Sequence, residues 1–103
     1  MKLPIKFKIA NQTYNVLLVD HIDDSGFGEF DSVKAEIRIA KRVKSAYDGE
    51  YYDLSEEQIL NSFWYELFHC FNWHWNTDSD EGLAQSFANF MREYITSKEY
   101  DPS

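Results

Sequence analysis

The stretch Ser55-Glu56-Glu57-Gln58-Ile59-Leu60-Asn61-Ser62-Phe63-Trp64-Tyr65-Glu66-Leu67-Phe68-His69-Cys70-Phe71 decides how this chain folds. Its first four residues fit a capping box, in which the Ser55 hydroxyl accepts from the backbone N–H of Gln58 and the Gln58 side chain reaches back. Leu54 and Ile59 stand at the positions of a hydrophobic staple around that start. Beyond it, Ile59, Leu60, Phe63, Trp64, Leu67, Phe68 and Phe71 recur at three- and four-residue spacing. Such a stripe predicts an amphipathic helix of at least about four turns with one wide apolar face, centred near Leu67.

Downstream, a second helix is expected to start near Asp78 or Ser79, after the Trp73-His74-Trp75-Asn76-Thr77 connection. Its stripe reads Leu83, Ala84, Phe87, Ala88, Met91, Tyr94 and Ile95, with Phe90 on a flank. Phe63, Leu67, Phe71, Phe87 and Met91 are expected to pack together against a sheet. Upstream the period changes from helical to two. Leu3, Ile5, Phe7 and Ile9 alternate with Pro4, Lys6 and Lys8, which predicts a half-buried strand. A second strand follows over 14–19, antiparallel to the first, then a loop over 20–28 and two further strands over 27–31 and 33–40. In the last, Val33, Ala35, Ile37 and Ile39 should face the core, with Lys34, Glu36 and Arg38 on the wet face. Strands first and helices second predict an α+β domain: a small antiparallel sheet packed against two main C-terminal helices.

The 103 residues allow one domain, 1–103, and 44 % hydrophobic residues provide for a packed core. No apolar run approaches the roughly 20 residues of a membrane span. The first residues lack the pattern of a signal peptide, and the single Cys70 rules out an internal disulfide framework, so a cytoplasmic protein is expected. Net charge is −8 and unevenly spread. Residues 1–44 hold eight Lys/Arg and six Asp/Glu, whereas residues 45–103 hold two and twelve. An acidic half repels phosphate backbones, which argues against nucleic-acid binding through the helices. Lys41, Arg42 and Lys44 read as a solvated loop.

One group of residues has the spacing of catalytic chemistry. On the first helix, Tyr65 and His69 lie one turn apart on the face opposite the stripe, with Glu66 between them and the core. A zinc peptidase helix places two ligands at i and i+4 with a Glu after the first to polarise the metal-bound water. That motif is His-Glu-x-x-His, and here it reads Tyr-Glu-x-x-His.

Three stretches resemble the small zincin-like metallopeptidases of the ImmA/IrrE type and their miniature relatives in phages and mobile elements. They are Gly28-Glu29-Phe30-Asp31 leading into Ile37-Arg38-Ile39, the helix start at 54–58 with Phe63 to His69, and Glu81-Gly82-Leu83-Ala84-Gln85-Ser86-Phe87-Ala88. The last is similar to the family's Glu-x-x-Ala-x-x-Phe-Ala, and the resemblance spans roughly residues 28–91. It implies a minimal zincin-like fold, His69 as a zinc ligand, Glu66 as general base and Glu81 as third ligand, with Tyr65 where the family has its first His. A phenol binds zinc well only as phenolate, so the resemblance implies zinc held weakly or not at all.

Each residue also has an ordinary reading. Glu66 and His69 suit a surface i, i+3 pair, and Glu81, three residues after Asp78, suits a helix cap. His74 between two tryptophans reads as a packed histidine. Cys70, at the edge of the stripe, reads as a small buried hydrophobe. His21 beside Asp20, Asp23 and Asp24 lacks calcium-loop spacing. The Trp73-His74-Trp75 cluster is an interface candidate. Three functions therefore compete. One is a degenerate zincin-like protein that binds a protein or peptide partner, using its sheet edge for strand addition. Another is a metallohydrolase with a variant site of His69, Glu81 and Tyr65 or His74. A third is a structural module of a mobile element.

Overall fold

The computed structural model describes residues 3–23, 26–75 and 80–102, and within these leaves aside the side chains of Asp80 and Glu81. Its elements run β1 (Lys6–Ile9), β2 (Gln12–Val19), β3 (Gly28–Asp31), β4 (Glu36–Ala40), β5 (Arg42–Lys44), β6 (Tyr51–Asp53), α1 (Glu56–His74) and α2 (Asp80–Ser97). The architecture is α+β, a small sheet of N-terminal strands packed with two helices. No described helix is long and apolar enough to cross a membrane.

The main sheet has the order β1-β2-β4-β3. β1 and β2 form a hairpin around Ala10 and Asn11, both at positive φ (49° and 66°), the backbone of a two-residue I′ turn. β3 and β4 form a second antiparallel hairpin. The ladder between the hairpins departs from the expected antiparallel sheet: β4 runs parallel to β2, Asn15 opposite Glu36 and Val19 opposite Ala40. The chain leaves β2, passes one strand position and lays down β3 on the outside. The β3–β4 turn then brings β4 back into the gap.

That turn also corrects the reading of 33–40 as one strand. The Asp31 carboxylate accepts from the backbone N–H of Val33 and Lys34, closing a local turn. Ala35 takes a positive φ of 55°, so pairing starts only at Glu36. Val33 stands at the tip, 93 % exposed, instead of facing the core. Lys41, Arg42 and Lys44 form no plain loop either. Arg42 and Lys44 belong to β5, which pairs with β6 and ties down through Arg42 to Asp20 (3.3 Å) and Asp53 (3.6 Å).

The capping box of α1 is formed as the sequence predicts: Gln58 N–H donates to Ser55 Oγ at 3.1 Å and Ser55 N–H to Gln58 Oε1 at 2.9 Å. α1 lies over β3 and β4, and α2 over β1. Phe7, Ile9, Tyr14, Ile37, Ile39 and Phe63 fill the space between sheet and helices. The buried faces are rotated from the expected stripes. On α1, Ser62, Phe63, Glu66, Leu67, Cys70 and Phe71 point inward, while Trp64 and Phe68 are exposed. On α2, Phe90 lies at the centre of the buried face with Tyr94, and Leu83, Phe87 and Ile95 are exposed. Each helix buries the side turned to the sheet, so neither covers the other's outer flank. Between those flanks runs an apolar groove of about 220 Å³ lined by Trp64, Phe68, Phe71, Phe87 and Met91. Phe87 still touches the expected cluster, its ring 5.4 Å from Phe71.

The two edges of the main sheet differ. Along β1, the C-terminal segment supplies the missing partners: Ile5 N–H donates to Glu99 O and Glu99 N–H to Lys6 O. Ser97 Oγ accepts from Lys8 N–H and donates to Lys8 O, and the Glu93 carboxylate accepts from Ala10 N–H. Along β3, no further strand is paired among the described residues. Ala40 N–H donates to Phe27 O. Antiparallel alternation then turns the backbone of Phe27, Glu29 and Asp31 toward β4, and the N–H and C=O of Gly28 and Phe30 toward the open edge.

Candidate functional site

The open edge of β3 and the exposed flank of α1 enclose a cleft with Glu66 at its floor. Two cavities meet there. One, of about 430 Å³, is lined by Phe27, Gly28, Asn61, Tyr65 and Glu66 among others. The other, of about 490 Å³, is lined by Phe30, Glu66, His69, Asn72 and Trp73. Glu66 borders both.

Tyr65 and His69 share the exposed face of α1, one turn apart, with rings edge to face and centroids 4.8 Å apart. The i, i+4 spacing thus sets phenol and imidazole side by side, and Glu66, one position on, turns under them toward β3. Glu66 is only 6 % exposed, which corrects the reading of Glu66 and His69 as an ordinary surface pair. Burial pushes its carboxyl above the usual range and the Glu29 carboxylate adds to that, while His69 pulls the other way. Among the described residues its carboxylate takes part in no hydrogen bond or ion pair, and its oxygens reach solvent in the cleft. The nearby base Arg38 is held by Glu29 across the β3–β4 pair at 2.6 Å.

The close approach of α1 to β3 depends on Gly28. A Cβ there would stand 3.0 Å from Glu66 Cγ, 3.1 Å from Ile39 Cδ1 and 3.2 Å from Arg38 O. The signal was present in the sequence, because a lone glycine inside a strand marks a bulge or a close neighbour.

Other candidates lie elsewhere. His74 turns away from the Tyr65–His69 face, and its Nε2 is hydrogen-bonded to the buried Tyr14 hydroxyl at 2.5 Å. Burial pushes His74 below the usual imidazole range and Tyr14 above the usual phenol range. A neutral ring accepting from a phenol is a packed histidine, so the structure does not gather His74 with Tyr65 and His69. Cys70 is buried at the centre of the stripe, not at its edge, and burial pushes its thiol up to about 12, as for an inert core thiol. His21 bonds Asp20 at 3.1 Å, and Asp20 also meets Arg42. Asp24, Asp78 and the expected helix start at 78–79 fall outside the described residues. Of the tryptophan cluster, Trp73 is exposed in the cleft while Trp75 packs against the core.

Glu81 heads α2, and its side chain is outside the description. Among the described residues, His, Cys, Asp and Glu nowhere gather in a group of three that could hold a metal. The described donors beside Glu66 are one imidazole and one phenol, a set that does not fit a tetrahedral zinc site on its own. Compared with family models, curated proteins and solved structures, the chain finds no match in any of the three.

Proposed function

We propose that this chain is a degenerate zinc-metallopeptidase-like protein of phage or mobile-element type, cytoplasmic, that binds an extended segment of a partner protein and does not cleave it. The asymmetry of the sheet edges carries the reading. β1 is sealed by the C-terminal segment, whereas β3 keeps the N–H and C=O of Gly28 and Phe30 turned outward beside a cleft. An extended peptide laid along β3 would gain main-chain hydrogen bonds from those groups and place alternate side chains in the two cavities. Tyr65, where the resemblance implies an imidazole, leaves zinc weakly held or absent and the cleft free for binding. Hydrolysis at a variant site of His69, Glu81 and Tyr65 is a second reading. It is favoured by one observation, the buried Glu66 carboxyl beside His69, poised as a general base would be.

Two measurements test the proposal. Elemental analysis of untagged protein purified without chelator should find much less than one equivalent of zinc, and a stoichiometric, chelator-removable zinc would move the hydrolase reading to first place. Linear peptides selected against the protein from a random library should slow hydrogen exchange at the amides of Gly28 and Phe30. Selected ligands that protect other amides and leave these two unchanged would overturn strand addition.

A further inference from the structure

A carboxylate on a side chain only 6 % exposed, whose oxygens reach solvent in a cleft and accept from no donor among the described residues, is poorly solvated and gains from a cation brought to it. Glu66 is such a group, and it faces a cavity that opens on the edge of β3. The walls of that cavity are Phe30 and Trp73, and its polar rim is His69 and Asn72. Trp73 is 63 % exposed, so its indole is available to a ligand. Aromatic walls leading to an acidic floor suit a long side chain with an apolar stem and a cationic head. The stem would lie on the rings, the head would gain from the Trp73 π-face, and its N–H groups would donate to Glu66. Among the described residues no basic side chain pairs with Glu66. Arg38, the base nearest the cleft in β4, is engaged by Glu29.

We infer that the segment added along β3 presents a basic side chain, lysine or arginine, to Glu66 through the cavity between Phe30 and Trp73. This rests on the strand-addition reading and specifies the chemistry of its partner. Strand geometry is compatible. The side chains of a strand beside Gly28 and Phe30 alternate between the two faces of the sheet. Those on the α1 face recur about every 6.8 Å. One such residue over Glu66 therefore places its neighbour two positions away over the adjoining apolar opening by Phe27 and Tyr65. The surrounding charge favours the same partner, because residues 45–103 carry two bases against twelve acids and attract a cationic segment.

The test uses a set of acetylated, amidated heptapeptides, Thr-Val-Thr-X-Thr-Val-Thr, with X as lysine, arginine, norleucine or glutamate. Binding is read from amide chemical-shift changes at Gly28 and Phe30 of the full chain. The lysine and arginine peptides should bind about ten-fold or more tightly than the norleucine peptide, and the glutamate peptide weakest of all. Glu66→Gln, which keeps shape and removes the charge, should bring lysine and norleucine to within about two-fold of each other. Equal binding of lysine and norleucine to the wild type would overturn the inference and leave strand addition standing. If no peptide in the set perturbs Gly28 or Phe30, strand addition fails and the inference with it. A lysine preference that survives Glu66→Gln would assign the attraction to the acidic half at large and overturn the role given to Glu66.

Discussion

Gly28 and Glu66 meet across the cleft so closely that a Cβ on Gly28 would stand 3.0 Å from Glu66 Cγ. The third neighbour, Arg38 O at 3.2 Å, belongs to the β4 backbone and yields less readily than a side chain. Gly28→Ala should therefore destabilise the fold by about 1–3 kcal/mol through overpacking. Urea denaturation checks this, and an unchanged midpoint would show that the helix can step back from the strand at no cost.

Glu66 should leave a signature in the pH dependence of stability. Its carboxyl is held above the ordinary 4.5, first by burial. As pH rises past that value, the unfolded chain releases a proton that the folded chain still holds, so stability falls until the raised value is passed. Glu66→Gln has no such titration. Variant and wild type should unfold alike below pH 4.5, and the variant should be the more stable at about pH 7.5. Urea midpoints of both proteins at both pH values decide it, a constant gap being the contrary result.

Leu67 and Phe68 are neighbours in sequence and opposites in environment, 2 % and 57 % exposed. Leu67→Ala should cost about 2–5 kcal/mol, and Phe68→Ala about 1 kcal/mol or less. Thermal shifts of equal size for the two would mean that the buried face of α1 is centred elsewhere.

Periodicity announced that α1 exists and where it starts, because Ser55 and Gln58 act through bonds local to the chain. It did not fix the rotation of the buried face. Trp64 and Phe68 are apolar enough to belong to the core and Glu66 polar enough to belong outside. The contact at Gly28, far away in sequence, turns Glu66 inward. On α2 the same limit moved Phe90 from flank to centre. The parallel β2–β4 ladder was equally illegible, since no residue of either strand encodes which neighbour fills the gap between two hairpins. The pairing of Tyr65 with His69 was legible for the opposite reason: i, i+4 spacing alone brings two rings together on any helix.

The ancestry of the site is testable by repair. Tyr65 is exposed, so Tyr65→His should change stability by less than about 1 kcal/mol. The new imidazole and that of His69 would lie one turn apart, and Glu81 from α2 would complete the ligand set that the resemblance implies. Zinc affinity, read by calorimetric titration, should rise sharply in Tyr65→His and fall again when Glu81→Ala is added. No gain over wild type would mean that the resemblance misleads.

Ala10 occupies the first central position of the β1–β2 turn with φ at 49°, a conformation that asparagine tolerates better than alanine. Ala10→Asn should raise stability by about 0.5–1 kcal/mol. A lower melting temperature would show that the turn depends on something other than its backbone geometry.

Sealing one side of the sheet sets how far any assembly can grow. A sheet extendable at both sides can take up identical chains head to tail without end, as a filament does. Here β1 is closed by Ser97, Glu99 and the Glu93 carboxylate, so among the described residues the main sheet keeps one open edge, that of β3. Two copies meeting β3 to β3 would close on a two-fold axis and stop. Trimming the chain after Lys98 removes Glu99 and its two backbone bonds. A clipped molecule frees only Ile5 and Lys6, because Ser97 and the Glu93 carboxylate still cover Lys8 and Ala10, and the self-limiting complex survives the cut.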